Sequence, residues 1–169
     1  VLDGEGCEVA GVGFAGVKGF AGGFGSKMLQ AWGEPSIKGF VHEAVEEALK
    51  LEAALAKLSV PQRVAVLHYA PIQETVEGEP VEIFPFMGSS RLEDPLSRYS
   101  VAVAFHGHAH NGQLEGHTSS QIPVYNVSMP LLKKHRPDQP PFRLLEIALS
   151  SELEAESANS LVKDAQAAE

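Results

Sequence analysis

Two uninterrupted apolar runs, Val64-Ala65-Val66-Leu67 and Val101-Ala102-Val103-Ala104-Phe105, restrict the fold of this chain more than any other feature. Neither run alternates apolar with polar residues, so both faces of each must be covered. That is the pattern of central strands in a largely parallel sheet with helices packed on it. The first run ends at His68, and the second runs into a cluster of histidines at its far end.

The flanking segments complete an α/β reading. Between Phe40 and Leu58, Ala44, Ala48, Leu51, Leu55 and Leu58 recur at spacings of three and four, while Glu43, Glu46, Glu47, Lys50 and Lys57 fall largely elsewhere. This predicts a helix over 40–58, with acids in its early turns and Lys57 in its last, stopped by Pro61. Upstream, Cys7 to Gly13 reads as a short buried strand, with Cys7 as a small core residue. It feeds a long surface loop from Gly11 to Gly25, in which seven glycines are interleaved with Phe14, Phe20 and Phe24, and Pro35 and Gly39 close the irregular region. These aromatics, with Trp32, either overhang a site as a lid or pack into the core. Downstream, Ser89 or Ser90 caps a short helix through about Tyr99, and strands are expected at Val124–Val127 and Phe142–Leu149. Residues 1–150 then form one domain, and the Ala-, Glu- and Ser-rich stretch 151–169 is a helical or disordered tail.

Composition narrows the partners. The chain has 169 residues, 44% apolar and 21% charged, which suits one soluble domain. Its net charge of -9 argues against nonspecific nucleic-acid binding, because neutralising phosphates takes clustered Lys and Arg, and only Lys133, Lys134 and Arg136 cluster. No run approaches a membrane span, and the first residues lack a signal-peptide pattern. The single cysteine cannot form an internal disulfide, which favours a reducing, cytoplasmic setting.

Three of the seven histidines, His106, His108 and His110, occupy alternate positions in Phe105-His106-Gly107-His108-Ala109-His110-Asn111-Gly112. Alternate side chains of an extended segment share a face, so neighbours in this set can converge on a metal. With His68 ending another strand, the donors gather where open α/β folds place their sites, at the carboxyl ends of strands. Neutral imidazoles suit Mn, Fe, Zn or Ni, so the cluster alone does not select the ion.

Gly107-His108-Ala109-His110 resembles the G-H-x-H block of the calcineurin-like metallophosphoesterases, and Val64 to Pro71 resembles the strand-plus-histidine block that precedes it. The glycine-rich stretch before a helix, the Val124-Tyr125-Asn126-Val127 strand and the order of the pieces are also similar to that family, over roughly Cys7 to Leu149. The resemblance implies the C-terminal half of a layered α/β/β/α sandwich of two mixed sheets. It implies hydrolysis of a phosphoester substrate by hydroxide held between two divalent metal ions (Mn, Fe or Zn), with manganese among the expected metals. It places His68 and His108 on one metal and His110 on the other. His106, one residue outside the block, reads as a residue behind the ligands or at the surface, and Arg91 and Asn126 as residues supporting the ligands or facing substrate.

The same resemblance implies an N-terminal half that carries D-x-H, G-D and G-N-H-[DE] blocks, the last with the family's catalytic histidine. None occurs in this sequence. The catalytic residue is therefore not assignable here, and the dinuclear centre requires that half as a partner. We expect the chain to hydrolyse phosphodiesters poorly on its own and, as a half-sandwich with exposed apolar faces, to associate with that partner or with itself. The competing expectation is a metal-binding or interaction module that keeps histidines without catalysis.

Two other motifs are weaker. Gly11-Val12-Gly13-Phe14-Ala15-Gly16 fits G-x-G-x-x-G, but more glycines follow where a dinucleotide-binding motif would open a helix. Gly88-Ser89-Ser90-Arg91 is either a phosphate cradle at a helix start or an ordinary N-cap with a solvated Arg. His42, His117 and His135 read as surface residues.

Overall fold

A computed structural model describes residues 1–148. The expected tail over 151–169 lies outside the described residues. The chain is α/β, built on one mixed sheet of six strands: β1 (Glu5–Val9), β2 (Val12–Val17), β3 (Gln62–Leu67), β4 (Val103–His106), β5 (Glu115–His117) and β6 (Pro123–Asn126). Their spatial order is β1-β2-β3-β4-β6-β5. The four central strands are mutually parallel, and the two edge strands run antiparallel to their neighbours.

Helix α1 (Pro35–Ala56) covers one face of the sheet. Ala15, Ala65, Ala104 and Val124 lie side by side in register on that face, all fully buried, and their small side chains let Leu51, Ala54 and Leu55 pack close. Short helices α2 (Phe84–Met87), α3 (Glu93–Arg98) and α4 (Met129–His135) complete the fold. Leu92 and Leu96 join the main core beside α1. On the opposite face the register row Gly16, Val66, Phe105 and Tyr125 is half-open: Val66 is 41% exposed, and Arg143 stacks on Tyr125 with its guanidinium carbon 3.6 Å from the ring centre. None of the described helices is long and apolar enough to cross a membrane.

Several boundaries differ from expectation. The helix starts at Pro35, not Phe40, because proline at the first helical position has its ring torsion already set and its missing N–H costs nothing there. Gly39 thus lies inside the helix. The early-turn acids become mid-helix residues, and neither the first turn is acidic nor the last basic. Glu47 is instead buried and accepts the Gly19 N–H at 2.8 Å. The single strand over 7–13 is a hairpin, turned at Ala10-Gly11, where both residues take positive φ (51° and 83°). Cys7 lies on its outer strand and is exposed, not in the core. The hairpin consumes the front of the supposed loop, so the G-x-G-x-x-G residues form β2 and open no helix. The remainder is no surface loop, since Gly19, Ala21, Gly22 and Gly23 are buried. Over 142–148 the expected last strand does not form, and Leu149 lies outside the described residues.

Candidate functional site

The carboxyl ends of β3 and β4 bring histidines from distant parts of the chain together. His68 follows the last residue of β3 directly, and both its N–H and that of Tyr69 donate to the Lys18 carbonyl, at 3.0 and 3.1 Å. Gly107 N–H donates to the His68 carbonyl at 3.2 Å, so the loop after β4 begins against His68. The imidazoles of His68 and His108 then lie 4.9 Å apart between ring centres, tilted by 55°. The Tyr69 ring packs against both, 5.3 Å from His68 and 4.6 Å from His108.

His108 is held by unusual means. Its backbone sits at φ +66°, a region that favours glycine. Its Nε2 lies 3.2 Å from the Phe86 carbonyl of α2. A carbonyl only accepts, so Nε2 carries the proton and, in the neutral ring, Nδ1 is left with a free lone pair. Burial lowers the His68 pKa first, with the nearby His108 and His110 adding to the effect; both keep this ring neutral and able to ligate. His110 is exposed, farther along the same loop.

The loop itself is pinned from below. Asn126 Nδ2 and Ser128 Oγ both donate to the Ala109 carbonyl, at 2.7 and 3.0 Å. Glu79 accepts from the backbone N–H of Asn111 at 2.7 Å and from its side-chain amide at 3.1 Å. Burial pushes the Glu79 carboxyl up, but the hydrogen bonds from Asn111 outweigh it and hold the pKa below the ordinary carboxylate value. Gly78, at φ +122°, runs so close to the Asn111 carbonyl that a Cβ there would collide with it. Gly112 is packed the same way against the Thr75 carbonyl.

The other expected site residues are placed differently. His106 is 1% exposed, with Nδ1 2.7 Å from the Gly107 carbonyl and Nε2 2.7 Å from Thr75 Oγ1, so neither nitrogen is free for substrate. Burial drives its pKa down to about 4. Asn126 is likewise buried and committed to the loop. Arg91 Nη2 donates to the Leu29 carbonyl at 2.7 Å, turning the guanidinium toward the glycine-rich segment. Ser89 Oγ accepts from Arg91 N–H and Ser90 Oγ from Gly25 N–H, so the Gly88-Ser89-Ser90-Arg91 hydroxyls cap backbone instead of cradling an anion. His42, His117 and His135 are exposed. Sequence reasoning missed Thr75, Glu79 and Phe86.

A divalent ion can be tested against this donor set. With metal–nitrogen bonds of about 2.1 Å, two imidazoles on one ion at tetrahedral or octahedral angles have ring centres about 4.5–5.2 Å apart. The His68–His108 separation falls within that range. Among the described residues, however, no group of three or more His, Cys, Asp and Glu converges closely enough to hold a metal.

No family model and no curated protein sequence matches the chain. Among solved structures it is similar to phosphopantetheinyl hydrolase (PptH) from Mycobacterium tuberculosis, with 18% identity and a TM-score of 0.49 over 72% of this chain. The chain spans 43% of the length of that protein. The likeness is too distant to speak to chemistry.

Proposed function

We propose that the chain contributes the His68–His108 half of a metal-dependent phosphoester-hydrolysing site. The carrying observation is the convergence of these two imidazoles at the ends of adjacent parallel strands, at a separation suited to one shared ion. His108, with Nε2 turned to the Phe86 carbonyl, would present Nδ1, and His68 would complete a two-nitrogen set. An ion bound there would supply Lewis-acid charge to a phosphoryl oxygen. His110 would belong to a second ion, completed by ligands from the N-terminal half that the family resemblance implies.

Among the described residues only two imidazoles meet closely, and this favours a second reading, a metal-binding module without turnover. The two separate in one experiment. The chain is assayed on bis-(4-nitrophenyl) phosphate with Mn²⁺ or Zn²⁺, alone and joined to a segment that carries the D-x-H, G-D and G-N-H-[DE] blocks the resemblance implies. The phosphoesterase reading expects little turnover alone and metal-dependent turnover in the longer protein, abolished by His108→Ala. Metal uptake without turnover in either form selects the second reading.

A further inference from the structure

Phe20, Phe40 and Phe86 belong to neither of the two core clusters. They stack instead in a line that leads to the histidine pair: Phe86 to Phe40 at 6.1 Å, Phe40 to Phe20 at 5.0 Å, Phe20 to Tyr69 at 5.8 Å, and Tyr69 to His108 at 4.6 Å between ring centres. The four aromatics come from four separate segments: the turn after β2, helix α1, the end of β3 and helix α2. Core filling alone does not account for the strip, because Phe86 is 54% exposed and Phe20, Phe40 and Tyr69 are only half-buried, although Tyr69 also packs on the main core. The cation resting on it, Lys18, lies 5.0 Å over Phe20 and is paired with Glu43 at 3.0 Å, so its charge is already compensated.

A strip of three half-buried rings and one exposed ring, Phe86, that runs up to the proposed phosphoryl-binding position is placed to recognise what the phosphate carries. We infer that Tyr69, Phe20, Phe40 and Phe86 form the subsite for a planar, apolar group esterified to the phosphate, so that aryl-type phosphoesters are preferred over esters of small polar alcohols. This rests on the phosphoester reading above and names the substrate class of that same site.

Calorimetric titration of the Zn²⁺-loaded chain with phenyl phosphate and with glycerol 2-phosphate tests it, because the two monoesters present the same headgroup. Phenyl phosphate is expected to bind about tenfold more tightly, the size of one or two good aromatic contacts. Phe40→Leu, which keeps most of the volume, is expected to shrink that ratio to about twofold while leaving glycerol 2-phosphate and Zn²⁺ affinities unchanged, and Phe86→Ser to lower the ratio in the same direction. Equal affinity for the two esters, or a ratio unmoved by both variants, overturns the inference. If the chain takes up no Zn²⁺ at His68 and His108, or binds neither ester, the phosphoester reading fails separately. Phenol alone then decides the strip: at millimolar concentration it should shift the aromatic carbon resonances of Phe40 and Phe86 where glycerol does not, and its failure to do so overturns the strip as well.

Discussion

Nε2 of His106 lies 2.7 Å from Oγ1 of Thr75, a hydrogen bond between residues 31 positions apart that ties the end of β4 to the turn after β3. The opposite nitrogen faces the Gly107 carbonyl and must donate to it, so a neutral His106 accepts from the threonine hydroxyl. That hydroxyl has one hydrogen, and the 2.7 Å approach of Nε2 takes it in preference to the Ile72 carbonyl at 3.3 Å. Thr75→Val keeps the shape and leaves the buried Nε2 without a donor. It should cost about 1–3 kcal/mol, measured as a lower urea midpoint at unchanged slope; a loss below about 0.5 kcal/mol would remove this bond from the account of stability.

The same residue sets a pH dependence. His106 titrates near 6.5 when unfolded and at about 4 in the folded protein, because burial disfavours its charged form. Between those values the unfolded chain binds a proton that the folded chain does not. The stability contributed by neutral His106 is therefore complete above pH 6.5 and is lost as the pH falls through about 4. The loss is on the order of 3 kcal/mol. Unfolding free energies across this window should fall with acid in the parent protein and flatten in His106→Asn, and parallel curves would contradict the assignment.

Glu47 supports a prediction on the other side of the sheet. It is 6% exposed and accepts the Gly19 N–H at 2.8 Å while Lys50 Nζ stands 3.3 Å away. Glu47→Ala strands that buried N–H and should destabilise by about 1–3 kcal/mol. Glu46→Ala, one position along and exposed, should change thermal unfolding by less than about 0.5 kcal/mol, so equal effects at both positions would count against the bond.

Metal affinity should divide the histidines. If the pair holds an ion as proposed, replacing His68 or His108 by Ala removes one of two neighbouring imidazoles and should weaken Zn²⁺ binding at least about tenfold, while His42→Ala, on the exposed side of α1, leaves it unchanged. Gly78→Ala, which forces a Cβ against the Asn111 carbonyl, should weaken Zn²⁺ binding as well by displacing the loop. Calorimetry on these four variants checks the ordering; a loss at His42 equal to that at His68 would place the ion elsewhere.

What the sequence made legible follows from what each element depends on. β3, β4 and β6 carry apolar side chains on both faces, so their runs announce them, although only the α1 face is fully covered and the expected cover on the other leaves Val66 exposed. The hairpin of β1 and β2 was obscured because its turn is Ala10-Gly11, without the Asn-Gly or Asp-Gly signal, and because the glycines of β2 resemble loop. Gly16 is there for a packing reason, with the Leu2 side chain lying where its Cβ would be. β5 has three residues, Glu115-Gly116-His117, too few and too polar to show a period. At the site, His68 and His108 could be paired through their strand-end positions. Thr75, Glu79 and the Phe86 carbonyl act on that loop from 22 to 32 residues away, and no local pattern records such contacts.

The backbone of His108 has one further consequence. At φ +66° a Cβ is a burden that glycine would not carry, by roughly 1 kcal/mol. His108→Gly would therefore relieve the main chain even as it deletes the imidazole. Against that relief stand the Phe86 hydrogen bond and the packing on His68 and Tyr69 that glycine would lose. Selection for heat resistance therefore weighs two terms of similar size at 108, whereas selection for zinc retention should keep histidine there.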